Sequence, residues 1–365
     1  MSDRHSDRVR RTADEAEAAG LGAVLVAPSP DLSYLAGYAP PPLERLTLLT
    51  IRPGGAAVLL VPMLERPLAL SSPLGRAVEV VGWTDGDDPY RIAAGLLPRR
   101  GAVGVGDRMW ASHLLELERA APGAAFTSAS PVISRLRAVK DDGEVAALAR
   151  AGRAADETFR QICSARFEGR SEEEVARDLA ELLVRNGHER ADFTIVASGP
   201  NAASPHHEPG GRTIRARDAV VMDFGGEFGG YFSDTTRTVV VGEPPPGFSE
   251  VYDAVLAASD AALSAVVPGA IAQDVDRAAR RVITEAGYGE RFIHRTGHGI
   301  GLEVHEPPWI VEGNGLELLP GMTFSVEPGI YLEERFGVRI EDIVVVTDGG
   351  VDRLNRSTRD LRVVS

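Results

Sequence analysis

Apolar positions along the first 130 residues alternate between two rhythms. From about Asp3 to Ala19 they recur at helical spacing, and the pattern stops at Gly20. Ala23–Ala27 is then a short continuous apolar run, the pattern of a buried strand. Further strand-like runs fall at Leu46–Ile51, Ala57–Val61, Val78–Trp83 and Ala102–Gly106, with helical patterns between several of them, as at Trp110–Ala121. Short apolar strands alternating with helices predict a small α/β domain.

The pattern changes near residue 131. From Ile133 to about Phe167 it is helical with few breakers, and Asp141 followed by Glu144 reads as a capping start within it. Ser171 with Glu174 is a second capping-box signal, opening a helix that ends at Asn186-Gly187. These shifts place a boundary around 130–140 and divide the chain into an α/β domain over 1–132 and a second domain over 133–365. The second domain is expected to run its plan twice. Two helices (141–167, 171–186) lead to paired strands at 218–241, and two more (248–266, 271–286) lead to paired strands at 322–347. The repeat is one of element order, with no clear repeat of residues.

Composition fits this division. The 365 residues suit two domains at about 100–200 residues each, and an apolar share of 44% is ample for a core. Lys plus Arg is 39 and Asp plus Glu is 53, a net charge of 39 − 53 = −14. An acidic chain repels phosphate backbones, so a nucleic-acid partner is not expected. The single cysteine, Cys163, excludes a disulfide within the chain and suits a reducing cytoplasm. It lies in an apolar helical pattern and reads as a core residue. The N-terminal MSDRHSDRVRR lacks an apolar segment, so no signal peptide is expected, and no apolar run is long enough to span a membrane.

Chemistry enters where acids interrupt runs that otherwise want burial. The segment Ala219–Val241 reads as two strands around a glycine-rich turn and carries Asp223 and Asp234. A lone Asp in a buried strand costs several kcal/mol unless paired or bound to a cation. The segments Phe324–Leu332 and Gly337–Val346 read as a second strand pair with the same oddity, at Glu327 and at the adjacent Glu341 and Asp342. Regular alternation points those last two to opposite faces, and spacing alone does not say which faces inward. Of eight histidines, five lie between 206 and 305, and His294, His298 and His305 fall within twelve residues flanked by glycines. Four carboxylates and one imidazole suit two hard divalent ions. Such a pair activates a water and stabilises a tetrahedral intermediate, with free histidines as hydrogen-bond donors.

These residues resemble the pita-bread metallopeptidases, the superfamily of methionine aminopeptidase, aminopeptidase P and prolidase. The motifs are MDFGG…GYFSDTTRT, HRTGHGIGLEVHE, SVEPGIY and GVRIED. All five ligand positions of that family are filled, by Asp223, Asp234, His298, Glu327 and Glu341. The resemblance therefore selects Glu341 over Asp342. Pro30–Tyr38 is similar to an element of the creatinase-like N-terminal domain found in the proline-specific members, and Ile195–His206 is similar to the segment that supplies their substrate-side histidine. The implied fold is a creatinase-like α/β domain plus an α+β pita-bread catalytic domain with pseudo-two-fold symmetry.

The implied activity is dinuclear-metal-dependent hydrolysis of Xaa-Pro bonds in small peptides by a metal-bridging hydroxide. Mn²⁺ is the first choice of metal, with Co²⁺, Zn²⁺ or Mg²⁺ also compatible. Glu327 doubles as general base, His305 steadies the oxyanion and His206 assists the scissile nitrogen. His294 lines the proline pocket, Arg339 braces the site, Tyr231 is a pocket wall or core residue rather than a catalyst, and His207 is a bystander. Homodimerisation is the habit of the relatives, and a loop around Pro40–Arg45 could reach a partner's site. One departure matters. Some short prolidases carry an arginine four residues after the His305 position, holding the dipeptide carboxylate, and here that position is Trp309. The expected activity is Xaa-Pro dipeptidase, with Xaa-Pro aminopeptidase as the alternative. A non-catalytic pita-bread binding module is more remote, because such relatives lose ligands.

Overall fold

Helical periodicity near the N-terminus produces helix Arg4–Ala18, whose Val9, Ala13 and Ala16 are buried. The computed structural model describes residues 4–365, so the expected start at Asp3 lies outside the described residues. The chain divides into two units between Arg137 and Ala138. In the first, six strands form one mixed sheet in the order Glu79–Trp83, Ala57–Pro62, Leu48–Ile51, Leu21–Val26, Gly101–Val105, Ala124–Ser128. Leu21–Val26 runs antiparallel to Leu48–Ile51 and parallel to Gly101–Val105. Leu25, Leu48, Leu60, Trp83 and Val103 fill the core on one face. This is the expected α/β plan. Edge strand Ala124–Ser128 was not foreseen, because its residues are largely exposed and carry no apolar run.

The helical pattern over 133–167 forms two helices, the second opening at the expected capping start. Ser130–Ala138 ends before Val139, which bridges to Met322, and the Lys140 amide donates to the Gly321 carbonyl. Asp141 then caps a new helix, Asp142–Ile162, through a complete capping box with Glu144. No glycine or proline marks the interruption at 139–141. Pairing with a distant segment overrides helical propensity there. Cys163 sits half-buried at the end of this helix against the core, and burial pushes its thiol up to about 11.

The second unit repeats its plan more closely than the side chains suggest. Helix Glu172–Arg185 has a complete capping box at Ser171 and Glu174, and its counterpart is Ala272–Glu285. The Gly169 and Gly269 amides donate to Ile214 and Leu318 carbonyls, and the Ile214 and Leu318 amides donate back to Arg170 and Ala270. Both glycines sit at φ +84°, where a Cβ would be strained. The repeat lives in the backbone ladder, so side-chain identity conceals it.

Three sheets follow. One has the order Arg362–Val364, Tyr231–Val241, Ala219–Phe228, Arg190–Ser198, and a second has Glu306–Ile310, Gly297–Gly299, Thr323–Val326, Asp342–Thr347, Gly350–Arg353. The strand pair expected over 322–347 is therefore a correction. Each of its strands breaks at the acid. Thr323–Val326 stops before Glu327, and Gly329–Leu332 pairs separately with Phe336–Arg339. Pro328 has no amide to continue the ladder. The Glu327 amide donates instead to Thr296, and the Glu341 amide to Thr236, so each acid is pinned across to another strand. No helix among the described residues is long and apolar enough to cross a membrane.

Candidate metal centre

Asp223 stands in the middle of Ala219–Phe228, hydrogen-bonded between Arg190–Ser198 and Tyr231–Val241, while Asp234 pairs opposite Gly225. A Cβ on Gly225 would lie 2.1 Å from the Ser233 carbonyl, so a glycine permits this close approach. His298 is the centre of the three-residue strand Gly297–Gly299, and Glu327 and Glu341 occupy the two strand breaks. Five expected ligands from separate segments therefore converge. Ligand atoms of Asp223, Asp234 and Glu341 lie within 4.8 Å of one another, as do those of His298, Glu327 and Glu341, and those of Asp234, His298 and His305.

Each side chain is held from behind. Arg339 Nη2 donates to Asp223 Oδ2 at 2.6 Å, Thr236 Oγ1 to Glu341 Oε2 at 2.7 Å, and Ser325 Oγ to Glu327 Oε1 at 3.0 Å. His298 Nδ1 faces the Gly299 carbonyl at 3.1 Å, so it carries the proton and Nε2 presents a lone pair. Burial keeps this imidazole neutral, lowering its pKa to about 3. Its Nε2 is 3.6 Å from Asp234 Oδ2 and 3.3 Å from Glu327 Oε1.

Three observations show that this donor set fits divalent cations. A lone pair facing two carboxylate oxygens is repulsive without a cation between them. Asp223 Oδ1 is buried with no hydrogen-bond partner, which is costly in protein alone. Burial, then mutual repulsion, drives the Asp234 and Glu341 carboxyls well above their usual range, and burial pushes Glu327 up to about 7. Asp234 and Glu341 are 4% and 2% exposed, too buried for water to relieve that repulsion. An all-oxygen-and-imidazole set suits Mn²⁺, Co²⁺, Zn²⁺ or Mg²⁺ rather than a thiolate metal.

A cavity of about 600 Å³ opens onto the cluster. A second cavity of similar volume, lined by Arg153, Asp156 and Arg356 among others, holds none of the expected site residues. Chemistry, not volume, therefore marks the site. His206, His294, His305 and Arg339 all line the first cavity with the five ligands. The His305 ring lies edge-on to His298, centroids 4.0 Å apart. His294 Nε2 is 2.8 Å from the Tyr331 hydroxyl, which takes a hydrogen bond from Arg339 Nη1 at 2.8 Å. Burial lowers His294 to about 4, so it is neutral and accepts the Tyr331 proton. A continuous chain thus runs His294–Tyr331–Arg339–Asp223.

Two expected pocket residues do not reach the cavity. Tyr231 packs with Leu148 and Ile300, and its hydroxyl donates to Glu144 at 2.9 Å, an alternative partner that alternation along the strand did not reveal. Trp309 pairs with His298 in the adjacent strand but is not a lining residue, and its ring lies 4.3 Å beneath the Arg295 guanidinium. His207 binds buried Glu172 at 2.9 Å, consistent with a bystander role. Asp342 is fully buried on the other face, in an ion pair with Arg237 at 2.6 Å. Sequence reasoning missed Arg295, Phe193, Ile195 and Val304 as lining residues. Arg295 sat between two chosen histidines and Tyr331 within a quoted motif, so both were findable; Phe193 gave no signal.

A pita-bread fold that follows a creatinase-like domain along the chain, with this cluster, defines a metallopeptidase. The chain belongs to metallopeptidase family M24, matched over residues 146–348, and carries a Creatinase/Prolidase N-terminal domain over residues 8–139. It is an enzyme, a peptidase that uses divalent metal ions. It is 45% identical over 349 residues to the probable dipeptidase PepE of Mycobacterium tuberculosis, covering 95% of this chain and 93% of that one. An Xaa-Pro dipeptidase of Lactobacillus helveticus is 38% identical, covering 91% and 92%. The crystal structure of dipeptidase PepE from Mycobacterium ulcerans superposes with a TM-score of 0.94 at 44% identity, covering 99% and 98%.

Proposed function

We propose that this protein is an Xaa-Pro dipeptidase using two divalent ions, Mn²⁺ first among them. The observation that carries this reading is the convergence of Asp223, Asp234, His298, Glu327 and Glu341 on one buried pocket, with Asp223 Oδ1 left without a partner. Relatives described as dipeptidase and Xaa-Pro dipeptidase support the substrate class.

Divalent ions held by these five residues supply Lewis-acid chemistry, polarising a carbonyl and acidifying a water. The remaining work falls to the chain. Glu327, oriented by the Ser325 hydroxyl, takes the proton of the attacking water. His305 donates to the developing oxyanion, and His206 delivers a proton to the leaving proline nitrogen. Neutral His294, held by Tyr331, forms a wall of the proline pocket, and Arg339 fixes Asp223. Residues 1–132 serve as the N-terminal domain and 133–365 as the catalytic domain of a cytoplasmic homodimer.

Aminopeptidase P activity is the second reading, favoured by Trp309 at a position where short prolidases carry an arginine. The test is hydrolysis of Ala-Pro against a longer Xaa-Pro-Yaa-Yaa peptide in Mn²⁺. Preferential release of proline from Ala-Pro is expected. Preference for the longer peptide establishes the aminopeptidase instead, and no cleavage of either with Mn²⁺, Co²⁺ or Zn²⁺ overturns both.

A further inference from the structure

A dipeptide's distinguishing group is the free carboxylate on its second residue, one residue from the scissile bond. A site that selects dipeptides needs a cation there, and Trp309 cannot provide one. Two arginines line the cavity. Arg339 is consumed: its guanidinium binds Asp223, Tyr331 and Thr236. Arg295 is different. Among the described residues no carboxylate oxygen lies within 4.0 Å of its guanidinium, and no hydrogen bond from that group is formed. The guanidinium carbon lies over the Trp309 ring, 4.3 Å from its centroid. Trp309 stands in Glu306–Ile310, and Arg295 lies two residues before its antiparallel partner Gly297–Gly299, which pairs His298 with Trp309 and Gly297 with Ile310.

We infer that Arg295, stacked on Trp309, is the carboxylate-recognition residue of this enzyme and sets its preference for dipeptides. This rests on the dipeptidase reading above. The cation is supplied from the segment leading into the strand next to position 309, and Trp309 acts as its platform. Stacking leaves the edge donors of the guanidinium free for a bidentate carboxylate contact while fixing the plane. Arg295 sits beside the chemistry, since its charge is felt by Glu327 and His305. A proline carboxylate held there leaves the preceding carbonyl toward the metal ligands. A longer peptide presents a neutral amide at that spot, forfeits the charged contact and must pass the arginine.

The experiment compares Mn²⁺-loaded wild type, Arg295→Ala, Arg295→Lys and Trp309→Ala on Ala-Pro and on Ala-Pro amide, with bound metal and melting temperature measured for each. Wild type is expected to favour the free acid. Arg295→Ala should raise KM for Ala-Pro about tenfold to a hundredfold, the scale of a charge-assisted hydrogen-bonded pair, while the amide's constants stay within about threefold, the spread allowed for loss of a contact it never makes. Arg295→Lys should recover part of the affinity, and Trp309→Ala should raise KM for the acid more than for the amide without loss of metal. An equal loss on both substrates, or a preserved preference for the acid in Arg295→Ala, overturns the inference while leaving the dipeptidase reading standing. A wild type that does not favour the acid removes that reading and the inference together.

Discussion

Tyr331 shows how one side chain can organise a site without touching the reaction. Its hydroxyl is the only link between neutral His294 and buried Arg339 in the chain described above, and burial pushes its pKa up to about 12, so it stays a donor throughout the working range. Removing that oxygen leaves a buried imidazole nitrogen without a partner and Arg339 Nη1 with only the Pro205 carbonyl, at 3.3 Å. Tyr331→Phe is therefore expected to cost about 1–3 kcal/mol, read by urea unfolding, and to raise KM for Ala-Pro because His294 loses its orientation. An unchanged unfolding midpoint would show that water replaces the hydroxyl. Legibility at this scale was uneven. The four carboxylate ligands drew notice because carboxylates inside β-branched runs are anomalous on energetic grounds, while His298, and Glu341 rather than Asp342, were selected by the family resemblance. Tyr331 did not stand out, because a tyrosine in a strand is ordinary until its neighbours are known.

At the scale of elements, the centre depends on how closely backbones can approach. Gly297 begins the short strand that carries His298, and a Cβ there would lie 1.8 Å from the Ser325 carbonyl. The same Ser325 hydroxyl accepts the His298 amide and donates to Glu327. Gly297→Ala must push that segment away, displacing both ligands together. The expected result is loss of at least about 3 kcal/mol, as for severe backbone overlap, together with loss of bound Mn²⁺ by elemental analysis. Retention of two ions per chain would show that the segment yields elsewhere. The sequence placed the helices and capping boxes at Ser171 and Asp141 well, since those signals are local. It read 322–347 as one strand pair because Thr296 and Thr236, which take the Glu327 and Glu341 amides, act on that segment from far along the chain.

At the scale of the whole molecule, the buried acids couple metal binding to stability. Without metal, Glu327 titrates near 7, and burial with mutual repulsion holds Asp234 and Glu341 well above their ordinary range, against about 4 for carboxyls when unfolded. The folded metal-free state thus binds more protons than the unfolded state between those values, and its stability must fall as pH rises through that window. Melting temperature of the chelated protein is expected to drop between pH 5 and pH 8, with saturating Mn²⁺ abolishing the trend by mass action. A chelated protein that gains stability over that range contradicts the proton accounting. Sequence by itself determined the two-part layout, the ligand identities and the family, because periodicity, capping and misplaced charge are properties of a segment and its spacing. Only tertiary structure decided that Tyr231 and Trp309 stand outside the cavity, and that Arg295 stands in it over Trp309 with no carboxylate partner. Those outcomes depend on which distant group completes each hydrogen bond, ion pair or stack, and that is set only when the strands are laid side by side.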